Sequence, residues 1–497
     1  MYRRMHTKPR LLGQPHDLIC GESRETLRIK TVIMNGYYCF IDFGSTYTKV
    51  CIISSDEDRI VSWSQASTTV TTDITIGLER ALANLSPPIS LKDCKVIRAT
   101  SSAAGGLRMI AIGLVPDLTT EVSNRAALGA GAKVTRVFSY RLTDREIHEI
   151  DEIHPDIILL AGGTDGGNSE VILHNAKCLA RANIHCPVVV AGNKETVGDV
   201  ELLLNEGDYQ VYIAENVMPE IGKLAVESAR EKIREVFLKH IVQAKGLDKA
   251  KTLVDEIIMP TPMAVLKVAT LLAEGSNRQK GMGELLVVDV GGATTDIHSA
   301  AKGIPVNPSI TLKGLPEPFA KRTVEGDLGI RSNAHTILQL AGSMPDIDEN
   351  FSKYDRKRAE ERVRYLSTNT EILSKEERAK QFDWDLTRAA VKIAADRHVG
   401  RLETVYTVSG PVYIQIGKDL TRVQSVIGTG GIFSHGSKPE YILDGARRFA
   451  GQELFLKPEK PEYFIDSRYI LFAAGLLGQL DEDLALSVLK RYLQRVG

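Results

Sequence analysis

Two carboxylates occupy the same local setting in the two halves of the chain. "CFIDFGSTYTKVCIIS", from Cys39, places Asp42 just before Gly44, Ser45 and Thr46. "VVDVGGATTDIHSA", from Val287, places Asp289 just before Gly291, Gly292 and Thr294. Each stretch reads as an apolar strand, an Asp, a glycine turn with hydroxyl residues, and a second strand. Glycine lets the backbone turn where a Cβ would block it. The amides of such a turn form an anion nest, and Ser or Thr hydroxyls donate to phosphate oxygens. A carboxylate repels phosphate, so Asp42 and Asp289 at these positions point to Mg²⁺, held directly or through its waters. The chemistry expected is a polyphosphate gripped between two hairpins, one from each half. Either stretch alone also reads as an ordinary β-hairpin with an Asp in its turn. The internal repeat favours the ligand reading.

Other stretches carry weaker signals. In "VIGTGGIFSHG", Gly428, Gly430 and Gly431 follow an apolar strand, and a glycine turn there lets a flat base and ribose lie against the backbone. In "LAGGTDGGN", Gly162, Gly163, Gly166 and Gly167 bracket Asp165. That loop reads either as a cleft edge with Asp165 near a ligand, or as a strand-to-helix turn capped by Asn168 or Ser169. "TSSAAGGLRM" at 100–109 reads as structural. "DIHSAAKG" nearly spells the Asp-x-His-x-x-Gly signature of cobalamin-binding modules, but Ala301 holds the glycine position. His298 therefore reads as a strand residue, and no cobalamin-binding domain is expected.

The elements that position these residues alternate apolar runs with amphipathic helices, which indicates α/β architecture with parallel strands. A helix is expected over Asp73–Leu85, with Thr72 or Asp73 as N-cap and Ile74, Leu78, Ala81 and Leu85 on one face. Helices are also expected over Thr119–Ala132 and Ser169–Ala182. "IILL", "CPVVVAGN" and "YQVYIAENV" read as strands. Residues 217–280 read as mostly helical, and 318–400 as charged and helical. The expected organisation is an extension over 1–33, an N-terminal domain over 34–275, and a C-terminal domain over 276–497 with a helical insertion at about 318–400.

The totals fit this. A chain of 497 residues exceeds one ordinary core, and 43% hydrophobic with 25% charged residues is a globular profile. A formal net charge of -1 gives no field to attract nucleic acid or an anionic membrane. The six cysteines form no Cys-x-x-Cys pair, which argues for reduced thiols in a cytoplasm rather than a disulfide, zinc or cluster framework. No run reaches the roughly 20 apolar residues of a membrane span; the longest candidate is Tyr469–Gly478. The first 33 residues carry Arg3, Arg4, Lys8 and Arg10 but no apolar core, so they do not read as a secretory signal. They read as a disordered tail, or as an over-long start with Met34 as initiator.

The two hairpins and the later glycine turn together resemble the phosphate and adenosine motifs of the actin, Hsp70 and sugar-kinase ATPase superfamily. That resemblance implies ATP and Mg²⁺ in a cleft between two RNase-H-like halves. Asp42 and Asp289 would order Mg²⁺ and its waters. Together with Thr294 they would form the catalytic set. Gly44, Ser45, Thr46, Gly291, Gly292 and Thr294 would hold phosphates, and Gly430 and Gly431 would flank adenosine beside Gly428. "VEGDLGIR" would bring Gly326 and Asp327 near the nucleotide. "LLAGGTDGGNSEVILHNA", "IMPTPMAVL", "KRTVEGDLGIR" and "VIGTGGIFSH" more narrowly resemble the MutL or GlmL family encoded beside adenosylcobalamin-dependent mutases, which shares only a name with mismatch repair. This implies a chaperone-like ATPase that reactivates glutamate (methylaspartate) mutase, or a related aminomutase, by exchanging damaged cobalamin. A small-molecule kinase, with Asp165 as the candidate base, and an actin-like filament ATPase are the alternatives. The iron–sulfur activator branch of the fold needs cluster cysteines that the chain lacks.

Overall fold

The computed structural model describes residues 36–497, apart from 45, 70–72, 103–106, 128–129, 243–253, 343–350, 352, 371–373, 375, 409 and 436–437. The expectations for residues 1–33, for Ser45 and for Thr72 therefore lie outside the described residues. The first half contributes β1 (Tyr37–Phe43), β2 (Tyr47–Ser54), β3 (Ile60–Ser67), β4 (Cys94–Ser101), β5 (Leu107–Gly113), β6 (Ala132–Ser139), β7 (Ile157–Leu160), β8 (Val188–Val190), β9 (Val211–Ile213) and β10 (Glu256–Pro260). The second contributes β11 (Leu285–Val290), β12 (Thr295–Ala300), β13 (Thr311–Lys313), β14 (Ala320–Glu325), β15 (Arg401–Thr407), β16 (Gly410–Ile416), β17 (Ser425–Thr429), β18 (Glu462–Ile465) and β19 (Gln494–Val496).

The repeat seen in the sequence is a repeat of topology. One sheet has the order β10-β4-β1-β2-β3, and another the order β14-β12-β11-β17-β18-β19. In each, an antiparallel hairpin (β1–β2 or β11–β12) is extended by a third antiparallel strand (β3 or β14) on one side. On the other side lie two parallel strands, β4 and β10 or β17 and β18. Both sheets thus have the RNase-H-like order of the actin-type fold, and their parallel strands all end on the side of Asp42 or Asp289. Carboxyl ends of parallel strands are where α/β folds present ligand sites.

A third sheet, of order β6-β5-β7-β8-β9, is inserted between β4 and β10 and is wholly parallel. Its inner strands β7 and β8 are short and buried, so they read as apolar runs rather than alternations. A small sheet of order β13-β16-β15 belongs to the second half.

One core cluster joins the two repeated sheets. Phe40, Cys51 and Ile53 of the first pack with Leu285, Val287, Ala300 and Ile427 of the second. Helices Thr261–Glu274 and Leu471–Leu477 fill the space between and cross closely. A Cβ on Gly475 would lie 2.2 Å from the Ala264 carbonyl oxygen, so only glycine fits this crossing. Among the described residues no helix is long and apolar enough to cross a membrane.

Several sequence expectations are corrected in detail. Residues 217–280 hold the strand β10, and 318–400 open with β14, the third strand of the second sheet. The adjacent Lys321 and Arg322 and the lack of an apolar run in "AKRTVE" hid β14, whose residues are all half-buried. The helix expected over Thr119–Ala132 is Pro116–Ala127, and Ala132 already belongs to β6. The helix at Ile74–Ala83 is capped by Asp73, whose side chain accepts from the Thr75 amide.

Candidate functional site

Both hairpins close the same way. The Gly44 amide donates to the Tyr47 carbonyl at 3.2 Å, and the Gly291 amide to the Thr294 carbonyl at 2.9 Å. Those two amides serve the turns and are not part of an anion nest, which corrects one detail of the sequence reading. Among the described residues nothing accepts from the amides of Thr46, Gly292 and Ala293, which remain available to a ligand. The Gly292 carbonyl accepts from Arg331 and Ser332, which fixes the second turn from behind.

The aspartates differ in their surroundings. Asp42, at 1% exposure, faces Lys49 across the β1–β2 ladder. Lys49 donates to Asp42 Oδ2 at 2.9 Å, while Thr100 and Thr261 hydroxyls donate to Oδ1 at 3.0 and 2.6 Å. This carboxylate is fully satisfied by the protein, as a buried charge must be. Asp289 is half-buried, and its cross-strand neighbour is Asp296. Asp296 is itself held by Arg322 at 2.6 Å and by the Thr294 hydroxyl at 3.0 Å. Among the described residues Asp289 has no hydrogen-bond or ion-pair partner. Withdrawal from water and, next, the Asp296 carboxylate push Asp289 up to about 7, with Lys49 pulling the other way.

Tyr469 lies between the two hairpins. Lys49 Nζ sits 4.1 Å from its ring centroid, a cation–π contact. Burial, and then the Asp289, Asp42 and Asp466 carboxylates, push its hydroxyl well above the usual phenol range. It stands at φ 56°, a left-handed conformation that costs a bulky residue energy and marks an over-determined site. Asp466 supports this turn: it accepts from the Ile470 and Leu471 amides at 3.0 Å and from Thr429 at 3.2 Å.

The later glycine turn splits into two roles. Gly428 is a β17 residue whose added Cβ would meet the Phe433 ring at 2.9 Å; it belongs to the core and not to a ligand surface. Gly430, at φ 116°, would place a Cβ 2.3 Å from the Val290 carbonyl oxygen, so it lets the turn touch the end of β11. Gly431 faces open space. Gly326 and Asp327 are near the second hairpin through Asn333, which donates to the carbonyls of Gly326 and Ala293. The Asp327 carboxylate is paired with Arg397 at 2.8 Å, and that pair holds it below the usual carboxylate range. It is not a free ligand.

Asp165 is also committed. It accepts from the Lys194 amide at 3.1 Å and from Asn216 at 2.8 Å, while Asn193 holds the Gly166 amide at 3.2 Å. The loop is a self-satisfied turn at the carboxyl end of the inserted sheet. Asn168 caps the following helix, accepting from the Val171 amide at 3.1 Å. His298 is fully buried within β12, with both ring nitrogens unpartnered, as expected of a strand residue. Sequence reasoning missed Lys49, Thr100, Thr261, Asp296, Arg322 and Tyr469. Lys49 and Asp296 were legible in principle, because each stands seven residues after its hairpin's Asp and so opposite it.

Among the described residues no three His, Cys, Asp or Glu side chains converge to cage a metal. Mg²⁺ keeps several waters and takes one or two carboxylates together with substrate phosphates. An unpaired carboxylate beside a second one is a suitable donor, so Asp289 would hold or order the ion. Asp42 is neutralised by Lys49 and would act through water.

Two hairpin-centred sheets of RNase-H-like order, with their aspartates and a glycine turn converging around one tyrosine, define an actin-type fold with a shared cleft. The chain belongs to the MutL family: the family described as "MutL protein" matches residues 38–493. This is the glutamate-mutase-related family and not the mismatch-repair one. Protein MutL of Clostridium tetanomorphum is 46% identical over 464 residues, covering 92% of this chain and 99% of that one. Among solved structures, nucleotide-free acetone carboxylase is similar over 89% of this chain and 70% of that one, at 14% identity and a TM-score of 0.38. A glycerol dehydratase reactivase is similar over 90% of this chain and 100% of that one, at 11% identity and a TM-score of 0.32. At these scores neither structural likeness bears on function.

Proposed function

We propose that this protein is an Mg-ATP-dependent reactivating factor for an adenosylcobalamin-dependent mutase, acting in the cytoplasm. The observation that carries the nucleotide reading is the convergence of the Asp42–Lys49 pair, unpaired Asp289 and open Gly431 around Tyr469. Membership of the MutL family supports the partner.

The geometry supports the following residue roles. The free amides of Thr46, Gly292 and Ala293 bind phosphate oxygens from both sides. Lys49 neutralises Asp42 and is placed to turn to an incoming phosphate. Asp289 orders the metal and its water, and Thr294 steadies Asp296 beside it. Mg²⁺, when bound, would neutralise phosphate charge and polarise the γ-phosphoryl group. Gly430 and Gly431 leave room for the nucleoside at the end of β17.

ATP contacts both hairpins, so its γ-phosphate can favour a closed state that the diphosphate holds less well. A ligand shifts such an equilibrium only by its differential affinity. A swing from 1:99 to 99:1 needs about 5.5 kcal/mol, within reach of several charge-assisted bonds at ~1.5–3 kcal/mol each. Closed and open forms would differ in their grip on the mutase, so that damaged cobalamin leaves and intact coenzyme enters. Glutamate mutase or a related aminomutase is the client class. The kinase alternative loses its candidate base, because Asp165 is bonded into its own loop.

The test is recovery of activity by a mutase inactivated during turnover, given free coenzyme and Mg-ATP, with and without this protein. Recovery is expected, and a non-hydrolysable analogue should support at most one round. ATP hydrolysis without recovery would overturn the partner assignment.

A further inference from the structure

The β15–β16 hairpin projects beyond its supports. At its base β13 pairs only with Ile414–Ile416, and the Leu402 amide donates to the Leu454 carbonyl at 2.8 Å. Beyond that point the hairpin carries exposed apolar side chains on both faces. Val405 pairs with Val412 on one face, while Tyr406 and Tyr413 lie on the other. Tyr406 is 83% exposed and Val408 fully so. A two-stranded hairpin is marginal alone in water, and contiguous exposed apolar residues mark an interaction site.

The outer edge of β15 is also unguarded. Backbone groups alternate along an antiparallel strand. Since the Leu402 amide points outward, so do the N–H and C=O of Thr404 and Tyr406. From Thr404 to Tyr413 the sequence carries no charge. Proteins normally blunt free edges with charges, prolines or bulges. The edge strand β6 shows that protection: it has a bulge near Val134, exposed Lys133, and Arg136 paired with Glu149 at 2.9 Å. β15 has none of it over this stretch.

We propose that β15 pairs antiparallel with β15 of a second copy of this chain, forming a two-fold dimer through a four-stranded sheet. The outward groups fix the register. Thr404 of each copy pairs with Tyr406 of the other, and Val405 meets Val405 at the two-fold axis. One face then carries an unbroken row of valines, Val412 and Val405 from each copy. On the other, Tyr406 packs across the axis beside the second copy's Thr404 and Tyr413. The contact is self-complementary, as a two-fold interface requires. It is small, so affinity belongs at the weak end, roughly micromolar. This inference is independent of the nucleotide reading.

Sedimentation velocity of the full chain from about 1 to 100 µM, spanning that weak-interface range, is the test. The wild-type protein should pass from monomer to dimer. Val405→Lys and Val405→Glu should each weaken the dimer at least tenfold, with circular dichroism unchanged. An equimolar mixture of the two should dimerise again, because Lys then faces Glu at the axis. Val408→Lys, outside the paired stretch, should leave the dimer in place. A wild-type monomer throughout, a dimer indifferent to position 405, or a mixture that stays monomeric would overturn the proposal. So would a Val405→Lys variant whose one defect is weaker binding of the purified mutase, which would assign the hairpin to that partner.

Discussion

The β1–β2 and β11–β12 hairpins share a backbone and differ in charge. Each closes with a glycine amide on a carbonyl three residues on, and each places an Asp at the same point of its first strand. Opposite that Asp stands Lys49 in one and Asp296 in the other. The first hairpin is therefore electrically complete without a ligand. The second holds an unpaired carboxylate beside one anchored by Arg322. The two hairpins thus keep one backbone and differ in charge. Under the proposed function, the first carries its own counter-charge and the second is the one offered to a cation.

The largest effect that separates them is on stability. Asp42→Ala should cost about 3–5 kcal/mol, because it leaves Lys49 charged and buried without its partner. Asp42→Ala with Lys49→Met should recover much of that loss in a denaturant titration. An equal loss in the double variant would show that the pair is not what stabilises the hairpin. Asp289→Ala should behave oppositely. Its unfolding free energy at neutral pH should not fall and should rise, because an unpaired carboxylate held beside Asp296 is removed, while ATP hydrolysis falls by at least ~10². Full hydrolysis in that variant would remove Asp289 from the catalytic set.

A smaller effect tests the sheet that carries the second hairpin. His298 and His398 lie buried on opposite faces of β12, and His398 bonds Ser299 at 2.8 Å and Thr323 at 2.9 Å. Burial, then Arg322, lowers His298 to about 3, and burial, then Lys321, holds His398 well below its ordinary value. An unfolded imidazole titrates near 6.5, so the unfolded chain takes up these protons first. The contribution is complete above about pH 6.5 and is lost as pH falls below it, by up to ~1.4 kcal/mol per unit for each imidazole. The difference in unfolding free energy between wild type and His398→Gln should be constant from pH 8 to 7 and move against the wild type between pH 6 and 5; a difference independent of pH would place the sensitivity elsewhere. The smallest expected effect is at Asp165. Asp165→Asn should leave ATP hydrolysis within about twofold, and a tenfold loss would return that residue to the active site.

The repeat made the fold legible, because a strand, an Asp and a glycine turn at two places half a chain apart demand two similar sheets. The same repeat singled out Asp42, Asp289 and the turn glycines as candidates, and the Gly44 and Gly291 amides close their turns. Gly428 was misread because one Gly-x-Gly-Gly run contains both a core contact with Phe433 and a turn at Gly430. Thr261 and Tyr469 were illegible as site residues. They reach the cleft from a helix N-terminus and a left-handed turn far along the chain, with no local pattern to mark them. Asp165 stood out for its glycines, which serve a turn that satisfies itself.

Titration calorimetry of ATP into the wild-type protein, in Mg²⁺ and again in EDTA, tests the paired-hairpin cleft most directly. One nucleotide per chain should bind in Mg²⁺, with affinity falling at least tenfold, or about 1.4 kcal/mol, when the metal is removed. Equal affinity in both buffers, or no binding in either, would contradict the account.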